Sequence, residues 1–412
     1  MQAHLQGTHT ADGPDPGDAR QPRKPRLPFA NAWFFPAAAL HAALLLPWSI
    51  LSLLGLVPVL PGLATPAGHA HEMLFGFAFA VVAGYLLGPQ RLGFTLVLLA
   101  CWALARLGFL LWPGSWPASV AATLFSAGLA WKVVPRFLGA AKKWRNRTVA
   151  PVVIGLALVS ALANLAPARP LAPVLLHQAL LLLAMLMAFM GGRILVPAIA
   201  GYALSQGLSQ DARVQPRLEG AVLILLIAAL VLNPLSPWLP VAALTGTLIL
   251  LAGVITTIRL LRWRPWQCLA RPDLLVLLLG YAWLSLGLIL SGLAISGLLP
   301  VTAMLHSLTV GALGSLTFAV MARTRLVYRF RNPNARAWIH PVVVLVSLAA
   351  LARMAAAISG WDQRLWLVGA ASCWSLAFLA LTVLLWQARG TPPGHAASAV
   401  RMAKGGTPRR LS

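Results

Sequence analysis

From Leu274 to Ala322 the chain runs without a single Asp, Glu, Lys or Arg. That is more than twice the ~20 apolar residues needed to cross a bilayer core about 30 Å thick, and a soluble helix needs a polar outer face that this stretch does not have. The pattern recurs along the sequence. Only 10% of the 412 residues are charged and 59% are hydrophobic, whereas soluble domains carry about 25% charge. A window of about 20 residues marks spans near 33–56, 71–88, 92–112, 116–136, 149–166, 172–191, 219–236, 239–260, 273–294, 301–322, 339–358 and 364–387. The expected fold is all-α, a polytopic membrane bundle of about twelve helices over residues 31–388. Residues 1–30 and 389–412, rich in Pro, Gly and basic residues and lacking an apolar core, are expected to be disordered tails.

A net charge of +24 would point to nucleic acid in a soluble protein, but here its placement points to a membrane. Of the 32 Lys and Arg, 28 fall in the two tails and in alternate connections: Arg91, 132–147, 193–217, 259–271 and 323–336. The opposite connections, around Pro61, Gly114, Asn233 and Pro300, carry none; Arg106, Arg169, Arg353 and Arg364 stand outside the alternation. The positive-inside rule then puts both tails in the cytoplasm, which requires an even number of crossings. The partner this implies is the lipid bilayer, not nucleic acid. Cys101, Cys268 and Cys373 are scattered, with no C-x-x-C or C-x-x-C-H. Paired zinc thiolates and covalently attached haem are therefore not expected.

Imidazole and carboxylate are costly in hydrocarbon, so their positions carry the functional reading. His69, His71 and Glu72 open the second span, and His177 and His306 each lie about five residues into the sixth and tenth. With the cytoplasm assigned from the loops, all three spans run inward, and their histidines share one outer depth of roughly 8 Å. His69 and His71, two residues apart, diverge by about 160° on a continuous helix, so both face one site only if the helix starts after His69. The preceding Thr65-Pro66-Ala67-Gly68 is turn chemistry. The three histidine-bearing spans are four apart in helix order, and His71 and His306 each have a glycine five residues on, Gly76 and Gly311.

Each residue also has an ordinary explanation. His177 and His306 alone in apolar helices fit interhelical hydrogen bonds, and Glu72 fits a helix-start charge. Arg106 and Arg353, near outer span ends, either snorkel or neutralise an anionic cofactor. Met73 and Met304 read as core packing, His41 as remote in the cytoplasmic half of the first span, and His340 as a boundary residue. No Walker loop, dinucleotide-binding glycine motif or nucleophile triad is recognisable. An alternative function is a proton-coupled secondary transporter using the outer histidines and Glu72, although paired helix breaks in the two halves are lacking. A further alternative is a scaffold with every histidine packed.

The segments GHAHEMLFGFAFAVVAGYLLG (68–88), KWRNRTVAPVVIGLALVSALANL (143–165), GGRILVPAIAGYAL (191–204), LLLGYAWLSLGLILSGLA (277–294) and HSLTVGALGSLTFAVMARTRL (306–326) resemble the successive motifs of the NnrS family, over about residues 34–386. The resemblance implies a twelve-span bacterial inner-membrane protein that binds haem b and copper and takes part in denitrification or the response to nitric oxide and nitrosative stress. It carries His71 with its neighbours His69 and Glu72, Arg193 and His306 into the expected site. His177 lies outside these motifs. The expectation is His71 and His306 on haem, His69 or His177 on copper, Arg106 and Arg353 beside the cofactor, and Glu72 and Arg193 supporting the ligands. After GYLLG and after MARTRL the chain departs from the family pattern, at Pro89-Gln90-Arg91 and Val327-Tyr328-Arg329-Phe330. Whether catalysis occurs is left open.

Overall fold

The computed structural model describes residues 27–139, 148–165, 172–208, 215–357 and 362–390; most of both expected tails lies outside them. Among the described residues the chain is helical, with no strand beyond an isolated bridge between Phe29 and Pro89. Twelve helical rods follow in order: α1 Asn31–Leu53, α2 66–86, α3 Leu92–Leu111, α4 Trp116–Gly139, α5 Val149–Leu165, α6 Ala172–Ser205, α7 Pro216–Leu232, α8 Ala242–Arg262, α9 Pro272–Ile295, α10 Val301–Phe330, α11 Ile339–Ala355 and α12 Gln363–Gln387. Nine helices among the described residues are long and apolar enough to cross a membrane. A helical membrane bundle is the fold.

Lipid tails are as apolar as leucine, so helices in a bilayer are held by close packing and hydrogen bonds rather than by hydrophobic burial. Both occur here. Helices α8 and α9 meet on glycines: a Cβ on Gly253 would lie 2.7 Å from the Ile289 amide nitrogen. Ser126 donates to Ser160 at 3.2 Å, and Ser119 donates to the Asn164 carbonyl at 2.9 Å, joining α4 to α5. The ring closes where α1 packs on α12. There Arg325 of α10, 1% exposed, donates to Asn31 Oδ1 at 2.9 Å and to the carbonyls of Ala388 and Arg389. The start of α1 and the end of α12 therefore lie on the same face, as an even number of crossings requires.

Three boundaries differ from the sequence expectation by five residues or more. Helix α2 begins at Pro66, not near 71, because proline fits the first helical turn and Thr65 caps it by accepting from the Gly68 N–H at 3.1 Å. Helix α6 continues past 191 to Ser205, its added turns held by buried Leu195, Val196, Ile199 and Ala203. Helix α10 runs on to Phe330, where Arg331 ends it in the left-handed region.

Helices α2 and α10 share an uncommon build. Each opens with six α-helical residues ending in histidine, Pro66–His71 and Val301–His306, and then widens into a π-helix over Glu72–Ala78 and Ser307–Gly314. In α2 the Phe79 N–H reaches back five residues to the Leu74 carbonyl. Such turns are rare and concentrate at functional sites. The fifth residue after each histidine is a glycine against which a tryptophan closes: the Trp102 indole donates to the Gly76 carbonyl at 2.9 Å, and the Trp283 ring lies where a Gly311 side chain would be. Helix α6 is regular, so the correspondence relates two helices rather than three.

Candidate functional site

His69, His177 and His306 lie three to five residues into α2, α6 and α10, or roughly 5–8 Å below one face at 1.5 Å per residue. Their side chains line a single cavity of ≈ 390 Å³, within the ~300–1,000 Å³ typical of small-molecule and cofactor pockets. The walls are otherwise mainly carbon, from Leu46, Met73, Leu74, Phe77, Leu180, Leu305 and Leu313, with Thr302, Thr309, Arg353 and Trp374 adding polar groups. A small recess beside it is lined by His69, His306 and Arg353 again, so those three groups meet on one wall. Met73, four residues after His69, faces the cavity and is not simply core packing.

The imidazoles are held ready to bind something. Nδ1 of His306 contacts the Thr302 carbonyl one turn earlier, which requires a proton on Nδ1 and leaves Nε2 with its lone pair. Nδ1 of His69 is buried without a hydrogen-bond partner. The N-terminal end of α6 is latched to α7: Gln178 donates to the Leu230 carbonyl at 2.9 Å, and Asn233 donates to Gln178 Oε1 at 3.2 Å, fixing the turn that carries His177.

His71 does not share this cavity. With α2 starting at Pro66, His69 and His71 sit on one continuous turn and diverge by about 160°. His69 faces α6 and α10, while His71 turns toward α3 and stacks on Phe109, ring centroids 3.7 Å apart and planes 12° apart. His71 and His306 are therefore not brought together, and the histidines that line the cavity are His69, His177 and His306.

Arg106 also points away from the cavity. It belongs to a second, dry cluster around Glu72, which is 0% exposed. Arg106 Nη1 donates to Glu72 Oε1 at 2.7 Å, His71 Nδ1 lies 3.4 Å from the same oxygen, and His41 Nε2 lies 3.3 Å from Oε2. The His41 ring packs edge-on against Trp102 at 5.4 Å. Gly76 makes the space: a Cβ there would collide with His41 Nε2 and lie 3.1 Å from both Arg106 Cδ and Glu72 Oε2. His41, expected to be remote in depth, is a neighbour because it stands midway along α1 and Glu72 lies a full turn deeper than a span starting at 71 implied. Glu72 is an ion-pair partner of Arg106, not a helix-start charge.

The glycine pair before Arg193 has a packing role. A Cβ on Gly191 would lie 2.8 Å from the Tyr281 ring, and one on Gly192 would collide with the Arg259 guanidinium. Arg259, 0% exposed, donates to the Ala188 carbonyl and the Tyr281 hydroxyl at 2.9 Å and pairs with Glu219 at 3.4 Å. Arg193 itself lies over the Phe189 ring at 4.2 Å, away from the cavity.

The donor set suits an extended group better than a bare ion. Among the described residues no group of three His, Cys, Asp or Glu side chains that could hold a metal ion is found. Haem needs only one or two imidazoles at an apolar slot and a cation for its carboxylates, and this cavity offers both. A family model described as NnrS protein matches residues 28–391. No curated protein and no solved structure matches the sequence.

Proposed function

We propose that this chain, which belongs to the NnrS family, holds a b-type haem in the outer cavity of a bacterial inner-membrane bundle and serves in the response to nitric oxide. The observation that carries the reading is the convergence of three imidazoles from α2, α6 and α10 on one largely apolar cavity beside an arginine. A haem bound there supplies an iron able to take a diatomic gas as a ligand. His306 presents Nε2, its Nδ1 proton being committed to Thr302. His69 and His177 are the other two candidate ligands, and a haem held by two imidazoles would take the gas in place of one of them. Arg353 neutralises propionate carboxylates on the wall it shares with His69 and His306. The apolar walls exclude water.

Absorption spectroscopy of detergent-purified protein tests the proposal. A Soret band is expected in the native protein, lost in His306→Ala and in His69→Ala, retained in His71→Ala, and shifted when nitric oxide is added after reduction. Arg353→Gln is expected to release haem more readily. A colourless native preparation, or an unchanged band in the His69→Ala/His177→Ala/His306→Ala variant, refutes it.

A further inference from the structure

Beneath the outer cavity α2, α6 and α10 line a second, apolar pocket of ≈ 80 Å³ that opens at the surface of the bundle. Its core is lined by Val82 of α2, Leu183 and Met187 of α6, and Leu313 and Thr317 of α10. Leu313 lines both spaces, so its side chain is the partition between them. Leu183 and Leu313 stand 11 and 12 residues into their helices, about 17–18 Å from the outer ends and near the middle of a core about 30 Å thick.

Size and chemistry narrow the occupant. The volume admits several small molecules, since one water needs only ~10–15 Å³ of such space, and it is about a fifth of the cavity above. Water has little reason to enter, because Thr317 already donates its hydroxyl proton to the Leu313 carbonyl at 2.6 Å and the remaining core lining is carbon and sulfur. Dry apolar voids take up small apolar molecules such as xenon. At the rim, Tyr85, Met190 and Ile194 are only half-buried, and at their depth the medium outside is hydrocarbon. Diatomic gases with small dipoles dissolve in that medium more readily than in water.

We infer that this void is a membrane-side access route by which a small apolar diatomic gas reaches the outer cavity, with Leu313 as its gate. The inference deepens the proposed function, since the gas is the ligand assigned to that cavity, but the void exists whether or not haem binds.

The test uses full-length protein in lipid nanodiscs. Xenon occupancy, read by ¹²⁹Xe NMR, is expected in the native protein and lost in Leu183→Trp and in Val82→Phe, two independent ways of filling a void whose core residues differ from the haem-cavity ligands. Carbon monoxide recombination after flash photolysis is expected to slow about tenfold in both variants, the size of change typical of a narrowed approach path, while the Soret band keeps its position. Leu313→Ala is expected to speed it. A native protein without xenon in the void, or filled variants that recombine at the native rate, overturns the inference. A colourless preparation refutes the haem reading alone, and xenon occupancy with its loss in the filled variants then decides this one.

Discussion

Glu72→Gln isolates the energetics of the dry cluster. In the native protein Glu72 and Arg106 are 2.7 Å apart with side chains 0% and 5% exposed, so the pair is almost unscreened. Charge centres about 4 Å apart at an effective dielectric of about 20 attract by ~4 kcal/mol. Neutralising the carboxylate forfeits this and strands a guanidinium whose Nε already lacks a partner, a change that costs about 3–5 kcal/mol in buried pairs. A glutamine carbonyl replaces only one of the two carboxylate oxygens, so either His41, now facing Oε2, or His71, now facing Oε1, meets an NH2 group instead. Removing both charges in Glu72→Gln/Arg106→Met is expected to recover much of the loss, giving a coupling energy of at least about 2 kcal/mol. Reversible unfolding in mixed detergent micelles measures it. A single variant within ~0.5 kcal/mol of native, the scale of an exposed pair, or strictly additive losses, refutes the claim that this is a buried ion pair.

Three further outcomes follow from the packing. Gly192→Ala drives a methyl into the Arg259 guanidinium and is expected to lower stability by about 1–3 kcal/mol, read by the same unfolding assay; Gly201→Ala, with open space around it, is the neutral comparison. Arg325→Ala removes the donors to Asn31, Ala388 and Arg389, a loss of about 3 kcal/mol or more for charge-assisted bonds, and is expected to raise hydrogen exchange at the end of α12 before it does so elsewhere. Trp102→Phe leaves the Gly76 carbonyl without its indole donor and is expected to cost about 1–2 kcal/mol, with Trp283→Phe, whose indole donates to the Ser347 hydroxyl instead, as the parallel case.

The membrane bundle was legible in the sequence because uncharged runs and alternating basic loops are one-dimensional signals. That the second, sixth and tenth spans carry histidines at one depth was legible for the same reason, since depth is a count of residues from a span end, but the residue read for the second span was His71 where the cavity takes His69. Azimuth was not. Which side of α2 each histidine faces depends on where the helix begins, and Thr65 with Pro66 starts it before His69 instead of after it. The π-helical turns then alter the angular register of Glu72 to Ala78, which no 3.6-residue period anticipates. His41 carried a findable signal: Gly76, five residues beyond His71, marks a place where something approaches closely, although it does not say what.

Arg325 makes the two ends of the polypeptide structurally interdependent. Asn31 leaves the ribosome more than 350 residues before Ala388, so during synthesis the first helix waits in the bilayer with the surface meant for α12 bare, and the guanidinium stands near its station with only part of its acceptors. The assembly seals when the last segment is threaded in. A chain stopped short of Gln363 is thus expected to be captured by quality-control proteases, although every histidine has already been made.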